Sequence, residues 1–189
     1  MAMIRRRQSP DDARAAAVEA AHRLLIEQGV AAVTLKSVAA SIGRTHANLI
    51  HHFGSVAELH RALAVEIARR VSTSITAAIA SRRRGEATAR DVVDAMFDAF
   101  RRERVGEMVG WIALTRQREA LAPVTETVAA ILADFRAAGD TRPMDKIILG
   151  LVLLAIGDSL VGEEVAAATG DTPSDIRAIA VSQIAAIIG

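Results

Sequence analysis

Residues 34–58 read TLKSVAASIGRTHANLIHHFGSVAE, and the order of residue types in this stretch decides the fold. Thr34 opens a short helix over 35–41, which Gly43 breaks. Thr45 caps a second short helix over 46–52. Ser55-Val56-Ala57-Glu58 is a capping box that starts a third helix. A helix-turn-helix needs a small residue where its two helices cross, and Ala39 fills that position. Four residues on, it needs a residue tolerant of positive φ, which Gly43 supplies. Val38, Ile42 and Leu49 anchor both helices to a core. Thr45, His46 and Asn48 put short polar side chains at the start of the second helix. That arrangement suits the edges of bases and the oxygens of a phosphate.

Before this stretch, Ser9-Pro10-Asp11-Asp12 signals a helix start, with Ser9 as N-cap and Pro10 in the first turn. Ala17, Ala20, Ala21, Leu24 and Leu25 recur at helical spacing, and Gly29 stops the helix, which is expected over 10–28. Arg5-Arg6-Arg7 precede it, either as a solvated basic tail or as an arm adding phosphate or minor-groove contacts.

After the stretch, Leu59, Leu63, Ile67 and Val71 mark a long helix running from 55 to about residue 81. Arg82-Arg83-Arg84 then reads as a solvated helix end, where cations suit the negative pole. Further helices are expected over 89–104 and 106–117, from Pro123 to the stop at Gly139, over 143–169, and from Thr172-Pro173 to the C-terminus. No strand pattern, internal repeat or low-complexity linker is present. The expected fold is all-α with nine helices. A helix-turn-helix domain spans 1–54 and a larger helical domain spans 55–189.

Composition narrows the function. Just over half of the 189 residues are apolar, but only four Phe and one Trp are aromatic, and there is no Tyr. With no Cys there is no disulfide, thiolate metal site or Cys nucleophile. No HExxH motif or glycine-rich phosphate loop occurs, and no His lies beyond residue 60, which argues against an enzyme and predicts no cofactor. His46, His51 and His52 are spaced by five and six, so they do not share a helix face and predict no metal site. The apolar run Ile147–Ile156 is about half of the ~20 residues a bilayer needs, so no membrane partner and a cytoplasmic location are expected. Net charge is +1, yet residues 1–60 hold seven Arg/Lys against five Asp/Glu, together with all five His. This asymmetry points weakly to an anion-facing N-terminal end.

The N-terminal part of the sequence resembles the TetR family of transcriptional regulators, and the remainder is compatible with that family by length and all-helical pattern. The resemblance rests on Ala20-Ala21, Gly29, Thr34, Val38-Ala39, Gly43, Thr45, Leu49, His51-His52-Phe53, Ser55 and Leu59. It implies a DNA face made of Thr34, Lys36, Arg44, Thr45, His46, Ala47, Asn48, His51 and His52. Asn48 would read an adenine edge, Ala47 a thymine methyl, and His46 a base or a phosphate. Thr34, Lys36, Thr45, His51 and His52 would position the unit on phosphates. Three residues depart from the family pattern. Ile50 stands where a phosphate-contacting Tyr is usual, Val56 where a Lys is usual, and Arg44 where a small apolar residue is usual.

The resemblance also implies a homodimer through the last two helices, a double-stranded DNA operator, and a small-molecule inducer. Gly150 and Gly157, between large aliphatics, would permit close helix approach in the dimer. The ligand site would involve Met96, Phe97, Phe100, Met108, Trp111, Leu114 and Phe135, and the scarcity of aromatics suggests a medium-sized apolar ligand. Asp158, if buried, needs a partner such as an Arg across the interface, or a polar group of the ligand. The implied function is a ligand-responsive DNA-binding regulator, most simply a repressor released by its inducer. A helical dimeric adaptor with weak or lost DNA binding is the alternative.

Overall fold

The computed structural model describes residues 10–188; the Arg5-Arg6-Arg7 tail and the Ser9 cap lie outside the described residues. Among the described residues there are nine α-helices and no strand: α1 Pro10–Gln28, α2 Leu35–Ser41, α3 His46–Phe53, α4 Val56–Arg83, α5 Ala89–Arg102, α6 Val105–Leu114, α7 Ala122–Ala137, α8 Met144–Thr169 and α9 Pro173–Ile188. Short 3-10 turns at Val30–Ala32 and Arg118–Leu121 complete the chain. It divides into two compact units, and the division falls inside α4, between Leu63 and Ala64.

In the first unit the apolar stripe of α1 is buried: Ala17, Ala20, Ala21, Leu24 and Leu25. Val33, Val38, Leu49, Phe53, Leu59 and Leu63 are buried in the same unit, all at or below 5% exposure. Thr34 caps α2 by accepting from the Ser37 N–H (3.0 Å), while the Ser37 hydroxyl accepts from the Thr34 N–H (3.0 Å). Gly43 turns the chain at φ 64, and the Arg44 N–H donates to the Ala39 carbonyl (2.9 Å). Any side chain at that φ is strained, although no atom lies within 4 Å of a Cβ placed there. Ala39 is 2% exposed, which is the small, buried residue the crossing needs.

In the second unit α8 packs against α5, α6, α7 and α9. Two glycines set its closest contacts. A Cβ on Gly106 of α6 would lie 2.6 Å from Ser159 Oγ and 2.7 Å from the Ile156 carbonyl oxygen of α8. The bare glycine therefore lets the two helices touch at their backbones, and its N–H donates to Ser159 Oγ (2.9 Å). A Cβ on Gly162 would lie 2.5 Å from Asp158 Oδ1 and 3.2 Å from an Arg101 guanidinium nitrogen. Gly162 thus leaves room for an ion pair. The Asp158 side chain, fully buried, accepts from Arg101 Nε (2.6 Å) and from a terminal nitrogen of the same guanidinium (2.8 Å). Its partner lies within the same chain, on α5. The close approaches fall at Gly106 and Gly162, whereas Gly150 and Gly157 face open space within the chain.

Helix ends moved where the backbone turns left-handed at residues that carry no such signal. α5 stops at Arg102 and Arg104 sits at φ 50; α6 stops at Leu114 and Arg116 sits at φ 58. The run of residues 147–156 in α8 is apolar nearly all round, a pattern that predicts burial on several sides. Within the chain one side stays uncovered, and Leu149 and Leu153 remain 62% and 61% exposed.

Candidate nucleic-acid interface and internal cavity

The nine residues expected to form a DNA face sit at the start of α2, in the turn and along α3, each exposed or half-exposed. Thr34, Lys36, Arg44, Thr45, His46, Ala47 and His51 are exposed; Asn48 and His52 are half-buried. Leu49 and Phe53 fix the opposite side of α3 in the core at 1% and 5% exposure. The apolar anchors therefore hold the helix while its first turn stays open. Thr45 Oγ1 caps α3 by accepting from the Asn48 N–H (3.2 Å). Since a hydroxyl also carries one proton to donate, the capping Thr45 can still donate to a phosphate oxygen. The His51 and His52 rings meet edge to face with centroids 5.6 Å apart.

Two groups counted toward the basic N-terminal end serve the fold instead. His22 and His60 are buried at 8% and 3%, and His60 Nε2 donates to the Val33 carbonyl (2.9 Å). That leaves three of the five histidines on the surface. Arg14 of α1 donates to the His52 carbonyl (2.7 Å) and lies over the Phe53 ring, 4.4 Å from its centroid. It orients the end of α3, a role the helical spacing of α1 does not reveal. Among the described residues no group of three His, Asp or Glu side chains could hold a metal ion, and no helix is long and apolar enough to cross a membrane.

Residues 17–63 match the model of the family described as bacterial regulatory proteins, tetR family. These residues belong to the TetR family. The whole chain also has the TetR-like fold. A Rhodococcus sp. chain assigned to the TetR-family transcriptional regulators superposes with a TM-score of 0.62 at 18% identity, covering 93% of this chain and 98% of that one. No curated protein matches the sequence. The fold is thus that of a DNA-binding regulator, with the helix-turn-helix formed by α2 and α3.

At two of the positions expected to depart from the family pattern, Ile50 is 43% exposed and Val56 is 38% exposed. Both are aliphatic side chains open to water, Ile50 on α3 and Val56 in the first turn of α4.

The second unit holds a partly open cavity of about 650 Å³. That volume is in the range of small-molecule sites. Met96, Phe100 and Phe135 line it; Phe97, Met108, Trp111 and Leu114 do not. Phe97 and Met108 are core residues at 0% and 2% exposure, and the Arg177 guanidinium sits 5.9 Å from the Phe97 ring centroid. Trp111 is half-buried on α6, and Leu114 is 85% exposed at its end. Most of the wall is aliphatic: Ile67, Val71, Ile75 and Ile79 along α4, Val124, Val128 and Ile131 on α7, and Ile147, Ile148, Leu151 and Val152 on α8. The four-residue spacing on α4 marks the helix but does not distinguish a cavity wall from a packed core. Polar groups lie at one end, where Arg82 and Arg83 of α4 meet Asp140, Thr141 and Arg142. Arg142 donates to both Asp140 carboxylate oxygens, and these hydrogen bonds hold the Asp140 pKa down at about 2.

Proposed function

We propose that the chain is a cytoplasmic, homodimeric transcriptional repressor that binds a palindromic operator and is released by a medium-sized, mainly apolar inducer. The observation that carries this reading is α3. Its first turn presents Thr45, His46, Ala47 and Asn48 to solvent while Leu49 and Phe53 lock it from behind. Residues 1–54 act as the reading head and 55–189 as the pairing and sensing part. Two heads reading half-sites one helical turn apart, roughly 34 Å, require a dimer. Open aliphatics on α8 (Leu149, Leu153, Leu160, Val161, Val165) and α9 (Ile179, Ile187) supply the apolar face for it. The inducer enters the cavity and shifts α4, which belongs to both units. Release follows only in proportion to the inducer's preference for the shifted state.

The test is a gel shift on DNA flanking the gene, with His46→Ala/Asn48→Ala as the control. A specific shift that the double variant loses is the expected result. A second reading, a dimeric adaptor without DNA binding, draws on the exposed Ile50 and Val56, which fit an apolar partner better than a phosphate. Absence of any shift on flanking DNA at low salt would favour it.

A further inference from the structure

The arginine triplet at the end of α4 divides into two roles. Arg84 turns away to Glu86, donating from Nε (2.9 Å) and from a terminal nitrogen (2.7 Å). Arg82 and Arg83 instead line the cavity, and neither makes a salt bridge among the described residues. Arg83 also lies over the Phe135 ring, 5.4 Å from its centroid, which places its guanidinium at the cavity wall. Of the other charged groups lining the cavity, Arg142 and Asp140 neutralise each other. The Arg83 charge also acts on Asp140, so three guanidiniums face one carboxylate and this end of the cavity keeps two positive charges in excess. They outweigh the negative pole of α4, which amounts to roughly half a charge. From Ile67 to Arg82 the wall runs along α4 for roughly 22 Å at the helical rise per residue. Away from the charged end, Thr127 is the polar side chain among those lining the cavity, and its hydroxyl already donates to the Pro123 carbonyl (2.8 Å).

We propose that the cavity takes an aliphatic acid anion, its carboxylate held by Arg82 and Arg83 and its chain lying along the Ile67–Ile79 stripe of α4. This names the chemical class of the inducer and rests on the reading of the cavity as the inducer site. Guanidinium groups form charge-assisted hydrogen bonds with a carboxylate, and the aliphatic wall takes up the tail. The long, mainly aliphatic wall, with Phe100 and Phe135 as its aromatic side chains, suits a flexible chain better than a flat ring system.

The test compares decanoate with decanol, both below their aggregation limits, by calorimetric titration of the full-length chain and of Arg82→Gln/Arg83→Gln. Decanoate is expected to bind roughly tenfold more tightly than decanol, and the double variant to lose that preference. An unchanged decanol affinity in the variant shows that its cavity is intact. Equal affinities for acid and alcohol in the parent chain would overturn the anion assignment and leave the cavity as an inducer site. So would a preference that survives in the variant. Binding of neither compound would overturn the assignment together with the cavity's role. If decanoate binds with the expected preference but leaves operator affinity unchanged in a gel shift, the ligand class stands and the repressor mechanism fails.

Discussion

Val56 stands at the first turn of α4, beside Ser55, whose hydroxyl accepts from the Glu58 N–H (3.2 Å). Its side chain is 38% exposed and has no apolar core to enter. A cation there would reach a backbone phosphate if the DNA face is placed as proposed. Val56→Lys is therefore expected to raise operator affinity and to steepen its dependence on salt, with a slope change of roughly 0.9 for one added phosphate contact. Affinity measured across a salt series checks this, and an unchanged slope would put Val56 away from the phosphates. At this scale the sequence was informative where a residue's chemistry is local. Thr45 caps α3 as its type and position required. It was silent where a residue acts across the fold. Nothing in the spacing of α1 distinguishes Arg14, which reaches the His52 carbonyl, from the exposed Arg23 on the same helix.

Among the elements, helices delimited by Gly, Pro or a capping residue fell where the residues put them. α1, α2 and α8 start and end within a residue of expectation. The α5–α6 connection did not, because its turn uses Arg104 in a left-handed conformation that arginine seldom adopts. Periodicity likewise cannot tell a stripe that packs from a stripe that lines space. Ile67, Val71, Ile75 and Ile79 have the same spacing in either case, so the cavity wall was invisible until the helices were assembled. The contact between α6 and α8 supports a prediction of its own. In Gly106→Ala the new methyl would lie 2.7 Å from the Ile156 carbonyl oxygen, and neither helix backbone can yield cheaply. Overpacking of this kind costs about 1–3 kcal/mol, measurable as a lower midpoint in chemical denaturation with the slope preserved. Gly150→Ala, facing open space in the single chain, is expected to leave the stability of that chain nearly unchanged.

For the molecule as a whole, the distribution of exposed aliphatics is the feature that calls for a second copy. Leu149 and Leu153 lie four apart on one side of α8, each more than half exposed, while Ala155, Asp158 and Gly162 on another side are buried. Leu149→Glu/Leu153→Glu is expected to give a monomer of 20.0 kDa by sedimentation where the parent chain sediments at about twice that mass, and to abolish tight operator binding. A double variant that still sediments as a dimer would move the interface elsewhere. Trp111 adds a practical consequence for such measurements. It is the one tryptophan of a chain without tyrosine, and it sits half-buried on α6, the helix that touches α8 at Gly106. Ultraviolet emission from the unlabelled protein therefore comes from a single indole in the second unit. A change in its wavelength or intensity on titration can be assigned to that one position without mutagenesis or an attached dye.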